Sequence, residues 1–200
     1  MVGVLRLSFL TSSIGRNALI LLALRSVRPF QGRIKVQKTL YLANLCGWNC
    51  IRDYRYYNYG PYSDVVATEL ENFKRNNWVE ETSSQTNENK IVHSYSITAQ
   101  GQKVADSLAA KVDDERLIKR TMNLVKELYK FSSDDLEMMA TIVFLRRSEP
   151  NLSDDALVRR VRELKLRFGE EQIRSNMRIF NILRDFGYNP PRLPPIAAGS

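Results

Sequence analysis

Residues 63–98, SDVVATELENFKRNNWVEETSSQTNENKIVHSYSIT, change period partway through. As far as about residue 76, Val66, Leu70 and Phe73 recur at helical spacing and Trp78 follows; Ser63 stands where an N-cap belongs, and Asp64 falls in the first turn, where the helix dipole favours an acid. Beyond it, WVEET and KIVHSYSIT alternate apolar and polar residues around SSQTNEN, the signature of a long-looped antiparallel hairpin. A helix followed by a hairpin is the expectation from which the rest is read.

Upstream, Ser12 or Ser13 caps a predicted helix from about Gly15 to Val27, with Ala18, Leu21, Leu22 and Leu24 on an almost wholly apolar face. Pro29 and Gly32 then break the chain before a second predicted helix, RIKVQKTLYLANLCGW, whose buried side comprises Ile34, Leu40, Tyr41, Leu45 and Trp48. Three helices and a hairpin is the order of a winged helix-turn-helix, whose third helix often enters a DNA groove. Downstream, Thr98 caps a further helix and Gly101 permits close packing beside it. Helical periods continue through residues 102–111 and 114–130, then after caps at Ser132 or Ser133 and at Ser153, and finally through EEQIRSNMRIFNILRDFG, which ends at Gly187. The expected fold is mainly α with a small β-hairpin. Residues 1–101 form a winged helix-turn-helix-like domain, residues 102–190 a helical lobe packed on or extending it, and residues 191–200 a proline-rich tail.

An apolar fraction of 44% and a charged fraction of 26% exclude wholesale disorder. The net charge of +8 is uneven: residues 1–78 carry 11 basic and 4 acidic side chains, residues 79–139 carry 8 and 11, and residues 140–200 carry 11 and 7. Basic ends suit an anionic partner. Arg6 and Arg16 interrupt the apolar runs of the first 27 residues, which argues against a membrane span and for a cytoplasmic chain. Cys46 and Cys50 are the only cysteines and His93 the only histidine, too few for a tetrahedral metal site, so the thiols read as small buried apolar groups.

GRIKVQKTLYLANLCGW followed by YNYGPYSDVVATELENF resembles the pairing of a "KLQKLLYLA" helix with a "YGPYS" helix start in YwgA-like proteins and the related Panacea domain of SocA-like antitoxins. SSDDLEMMATIVFLRR is similar to a later helix of those proteins. Gln37-Lys38, Tyr41-Leu42 and Tyr59-Gly60-Pro61-Tyr62-Ser63 carry the likeness, which spans roughly residues 17–187. It implies a winged-helix-like core with added helices and no catalytic activity. Panacea-type proteins act as antitoxins by protein contact, or as adaptors that deliver a toxin to a protease. The long basic C-terminal lobe departs from the Panacea pattern.

The chain has no phosphate-cradling glycine loop, no GxSxG and no HExxH, and its acidic pairs mostly sit at helix starts, where capping explains them. His93 is expected to point outward from the hairpin. No catalytic residue, metal or cofactor is therefore assigned. For binding, Arg33, Lys35, Lys38, Arg52 and Arg55 supply cations near Tyr56 and Tyr57, with Lys74 and Arg75 on the third helix and Lys90 on the wing loop. Asp64, Glu69 and Glu71 make that third helix a poor DNA reader. Arg159, Arg162 and Lys165, with Arg146, Arg147, Arg160 and Arg167 near them in sequence, read as a second basic stripe or as a merely solvated face. Clustered Tyr and Arg equally make protein hot spots. Tyr59, Gly60, Pro61, Tyr62 and Ser63 read as architecture, with Tyr59 and Tyr62 buried against the second helix and Arg55 exposed. The expectation is a non-enzymatic DNA-binding winged-helix regulator, with a protein-binding adaptor or SocA-like antitoxin as the alternative. DNA, a protein partner and a second copy of the chain all stay open as partners; a membrane does not.

Overall fold

The structure, a computed structural model, describes residues 12–86 and 89–189; the proline-rich tail and the first eleven residues lie outside them. Helix α1 (Ser13–Ser26) starts where the Ser12 hydroxyl accepts from the Gly15 N–H. Every residue from Ala18 to Leu24 is buried, so the run is apolar on all sides because neighbours surround it. Strand β1 (Phe30–Gln31) follows, then α2 (Arg33–Ala43).

The second helix was expected to reach Trp48, but α-geometry stops at Ala43 and a wider turn, Asn44–Trp48, follows. Gly47 (φ 115°) and Asn49 (φ 49°) reverse the chain, and the Asn44 side chain takes over the backbone groups beyond, accepting from the Cys50 and Ile51 N–H groups and donating to the Ile51 carbonyl. Trp48 is buried there, its indole N–H donating to Thr121 at 2.7 Å.

The tyrosine stretch forms a second hairpin that its composition did not announce: β2 (Arg55–Tyr57) pairs with β3 (Gly60–Tyr62), with Tyr57 opposite Gly60. Helix α3 (Asp64–Arg75) starts at the expected cap, the Ser63 hydroxyl accepting from the Val66 N–H at 3.1 Å. Strands β4 (Val79–Gln85) and β5 (Ile91–Ile97) form the expected hairpin, and β1 adds to β5 to give an antiparallel sheet of order β1-β5-β4. A Cβ on Gly101 would lie 2.0 Å from the Trp78 carbonyl oxygen, the close approach its position implied.

Helices α4 (Ala99–Val112), α5 (Glu115–Tyr129), α6 (Ser133–Ser148) and α7 (Asp154–Leu164) follow. The last predicted helix is two short ones, α8 (Glu170–Asn176) and α9 (Ile179–Asp185), closed by Gly187 at φ 87°. Helices α1 and α6 are the buried axes. α1 packs on α4 and α5, while α6 packs on α2, β3 and α7, so the helices beyond Gly101 share one continuous core with the segments before it. The described residues are thus mainly helical with one three-stranded antiparallel sheet and one two-stranded hairpin. No helix among the described residues is long and apolar enough to cross a membrane.

Candidate functional site

Two adjacent side chains of α2 place the β2–β3 hairpin. The Gln37 amide donates to the Ser63 carbonyl at 3.0 Å and accepts from the Ser63 N–H at 3.1 Å, while the Lys38 ammonium donates to the Pro61 carbonyl at 2.8 Å. Behind the hairpin turn, Lys165 donates to the Asn58 carbonyl at 2.8 Å. Gly60 holds φ 85° against α6, where a Cβ would come within 2.7 Å of the Thr141 hydroxyl oxygen; a side chain there meets both backbone strain and a clash.

Buried charge under the hairpin is shared. Glu137, on α6, accepts from Lys165 at 2.8 Å and Arg167 at 3.0 Å, and only the Arg167 side chain of these three is substantially exposed. Burial lowers the Lys38 ammonium to about 8; Lys165 adds to that and the Glu137 carboxylate opposes it. A second charge centre lies on the sheet. Glu81 meets Lys74, Arg33 (3.0 Å) and His93 Nδ1 (3.0 Å). Burial would raise its carboxyl, but hydrogen bonds from Lys74, Arg33 and Tyr95 outweigh that and hold it at about 2.

Between α2, the β2–β3 hairpin and α3 opens a cleft of about 400 Å³. Ile34, Leu70 and the aliphatic stem of Lys38 line it together with Tyr62 and Tyr95, and Tyr57 and Tyr59 stand on it with 55% and 51% of their surfaces exposed. The Tyr57 and Tyr62 rings lie 5.9 Å apart, across the hairpin. Arg33 and Glu71 are the other charged residues on the cleft, and each has a partner, Arg33 with Glu81 and Glu71 with Lys74. The surface offered is therefore aromatic and apolar with neutralised charges.

The structure separates the residues grouped by the sequence. Lys38 is buried and cannot meet an outside phosphate, which corrects its assignment as a surface cation; its charge is used on Pro61. Lys35 is half-buried, with its ammonium on the Tyr129 carbonyl at 3.3 Å and over that ring, and burial lowers its pKa. Arg55 is exposed as expected but ion-paired with Asp64 at 2.6 Å, and Lys74 bridges Glu71 and Glu81. Arg52, Arg75 and Lys90 are exposed at separate places: after the wide turn, at the end of α3, and at the β4–β5 loop.

Tyr56 points to the reverse of the hairpin, near Phe144 and under the Lys165 ammonium, whereas Tyr57 lines the cleft. Tyr59 was expected buried and is half exposed, because Asn58 and Tyr59 form the turn between the strands; Tyr62 is only partly buried, and Gly60, Pro61 and Ser63 are buried. Lys165 leaves the expected basic stripe, since α7 ends at Leu164 and the lysine turns inward to Glu137. His93 does not point freely outward either, because register places it opposite Ser83 and beside Glu81. Cys46 and Cys50 are free and buried, and burial pushes both thiols up to about 12.

Ile34, Gln37, Leu70, Tyr95 and Glu137 were missed as parts of the site. The available signal was the spacing of Ile34, Gln37, Lys38 and Tyr41 along one face of α2, which sets a polar pair inside an apolar stripe. No family model and no curated protein matches this chain.

Proposed function

We propose that the chain is a non-enzymatic adaptor whose tyrosine-walled cleft receives a short segment of a protein partner by an apolar anchor side chain. The observation carrying this is the half-exposure of Tyr57 and Tyr59 on a 400 Å³ concavity whose charged residues are already paired. Its size falls within the range of ligand pockets, and exposed tyrosines on a rigid support contribute large contact area at small entropic cost. Gln37, Lys38 and Lys165 supply that support by fixing the hairpin backbone at Ser63, Pro61 and Asn58. The reading agrees with the adaptor or antitoxin role implied by the Panacea resemblance.

A DNA-binding winged-helix regulator is the second reading, favoured by the order of three helices and a hairpin and by exposed Arg52, Arg75 and Lys90. It ranks second because Arg33, Arg55 and Lys74 are each held by a carboxylate of the chain itself, and phosphates would have to compete for them.

Selection of displayed random peptides on the wild type, with a folded Tyr57→Ala/Tyr59→Ala variant as counter-target, tests the first reading. Enriched peptides should share an apolar anchor and lose about 2 kcal/mol, roughly thirty-fold in Kd, on either single substitution. Peptides that bind the double variant equally well would remove the cleft from the function. Duplex DNA binding that falls with salt and is weakened by Arg52→Ala and Arg75→Ala would favour the regulator.

A further inference from the structure

A second cleft opens farther along α2, between the wide turn, the segment leading into β2 and the C-terminal end of α6. Its volume is about 440 Å³. Arg52 and Arg147 come to it from different elements, and both are exposed. Neither is ion-paired to a carboxylate among the described residues, and Arg147 lies near the Tyr41 and Tyr188 hydroxyls. This sets them apart from Arg33, Arg55, Arg167 and Arg174, each of which is ion-paired within the chain. Among the described residues, no carboxylate lines the cleft. Asp53, next in sequence to Arg52, is used on Ser63 Oγ and the Val65 N–H, and Glu149, beyond Arg147, is paired with Arg160.

The remaining wall is mixed. Tyr41, Tyr54 and Phe144 present aromatic surface, Leu45 and Ile51 aliphatic surface, and the buried Tyr54 hydroxyl has no hydrogen-bond partner. Two unpaired guanidiniums suit a phosphate group, to which each can donate in fork geometry. The volume and the aromatic share are larger than a bare anion needs and suit a flat ring carried on the phosphate. We propose that this cleft binds a nucleoside phosphate, either free or at the end of a nucleic acid, with Arg52 and Arg147 on the phosphate and the aromatic wall against the ring. The C-terminal end of α6 disfavours an anion, and the two guanidiniums oppose that effect.

Titration calorimetry at low salt with adenosine monophosphate, uridine monophosphate, inorganic phosphate and adenosine tests this. One equivalent of at least one monophosphate should bind, and Arg52→Ala and Arg147→Ala, both at exposed positions, should each weaken it roughly ten-fold or more. Inorganic phosphate and adenosine should each bind at least about ten-fold more weakly than the monophosphate, since each lacks one half of the contact. Arg174→Ala, which removes an exposed arginine already paired with Asp155 and Glu170, should leave the affinity unchanged. No binding of either monophosphate, binding that survives both arginine substitutions, or inorganic phosphate binding as tightly as the nucleotides would each overturn the proposal. Tighter binding of a 5′-phosphorylated dinucleotide would assign the ligand to a nucleic-acid end, and equal or weaker binding to a free nucleotide.

Discussion

Glu137 is acidic and buried, and its neighbours explain why it is tolerated. Lys165 and Arg167 satisfy its carboxylate, and Lys165 carries the charge on to the hairpin turn at Asn58. Glu137→Gln leaves the Lys165 ammonium buried without its counter-charge and should cost about 3 kcal/mol in urea unfolding. Lys38 gives a pH signature of opposite character. Its folded value, about 8, lies below the ordinary 10.5, so the folded state holds its proton less firmly than the unfolded state does. The cost of charging it is therefore complete below pH 8 and is relieved as pH rises from about 8 to 10.5; stability should climb across that window in wild type, and Lys38→Met should flatten the climb. Glu81 behaves conversely. Held at about 2 against 4.5, it contributes stability above pH 4.5 that is lost as pH falls towards 2, and Glu81→Gln should remove that part of the acid limb.

Among the elements, the β2–β3 hairpin is too short to stand alone and takes its position from α2 and α6. Gly60 approaches α6 closely. Gly60→Ala should cost about 2 kcal/mol or more, from the left-handed backbone and the contact with Thr141 together, seen as a lowered urea midpoint with an unchanged slope. Ser63 does two tasks at the next junction, capping α3 and donating to Asp53 at 2.6 Å. Ser63→Ala should cost about 1 kcal/mol. The cap, the helix and the β4–β5 hairpin could all be read directly, because each depends on neighbours in sequence. The β2–β3 hairpin could not. Its alternation is drowned by five tyrosines within nine residues, and what makes it a hairpin is donated from Gln37, Lys38 and Lys165.

Across the whole molecule, α1 and α6 lie in one core, so the segments on either side of Gly101 should unfold together. The two tryptophans report from different surroundings, Trp48 against Thr121 on α5 and Trp78 at the start of the β4–β5 hairpin. Trp48→Phe and Trp78→Phe, each leaving a single fluorophore, should give fluorescence transitions that coincide with the circular dichroism of that same variant. Separate transitions would mean that the β4–β5 hairpin and the core joining Trp48 to α5 unfold as independent units.

Local pattern alone determined the succession of helices, the caps at Ser63, Thr98 and Ser153, the caps at Ser12 and Ser132 to within one residue, the close approach at Gly101 and the β4–β5 hairpin. These follow from side-chain period, hydroxyl-to-amide bonds over three residues and the absence of a Cβ, all written within a few positions of chain. Charge could be counted from the sequence but not placed. Lys38 and Lys165 look like any surface lysines until α2, α6 and the hairpin converge and bury them, and Arg33, Arg55 and Lys74 look available until Glu81 and Asp64 are brought beside them. Which cations are spent inside the molecule and which face solvent was decided only by the tertiary structure, because ion pairing depends on distance in space and on desolvation, and neither is fixed by distance along the chain.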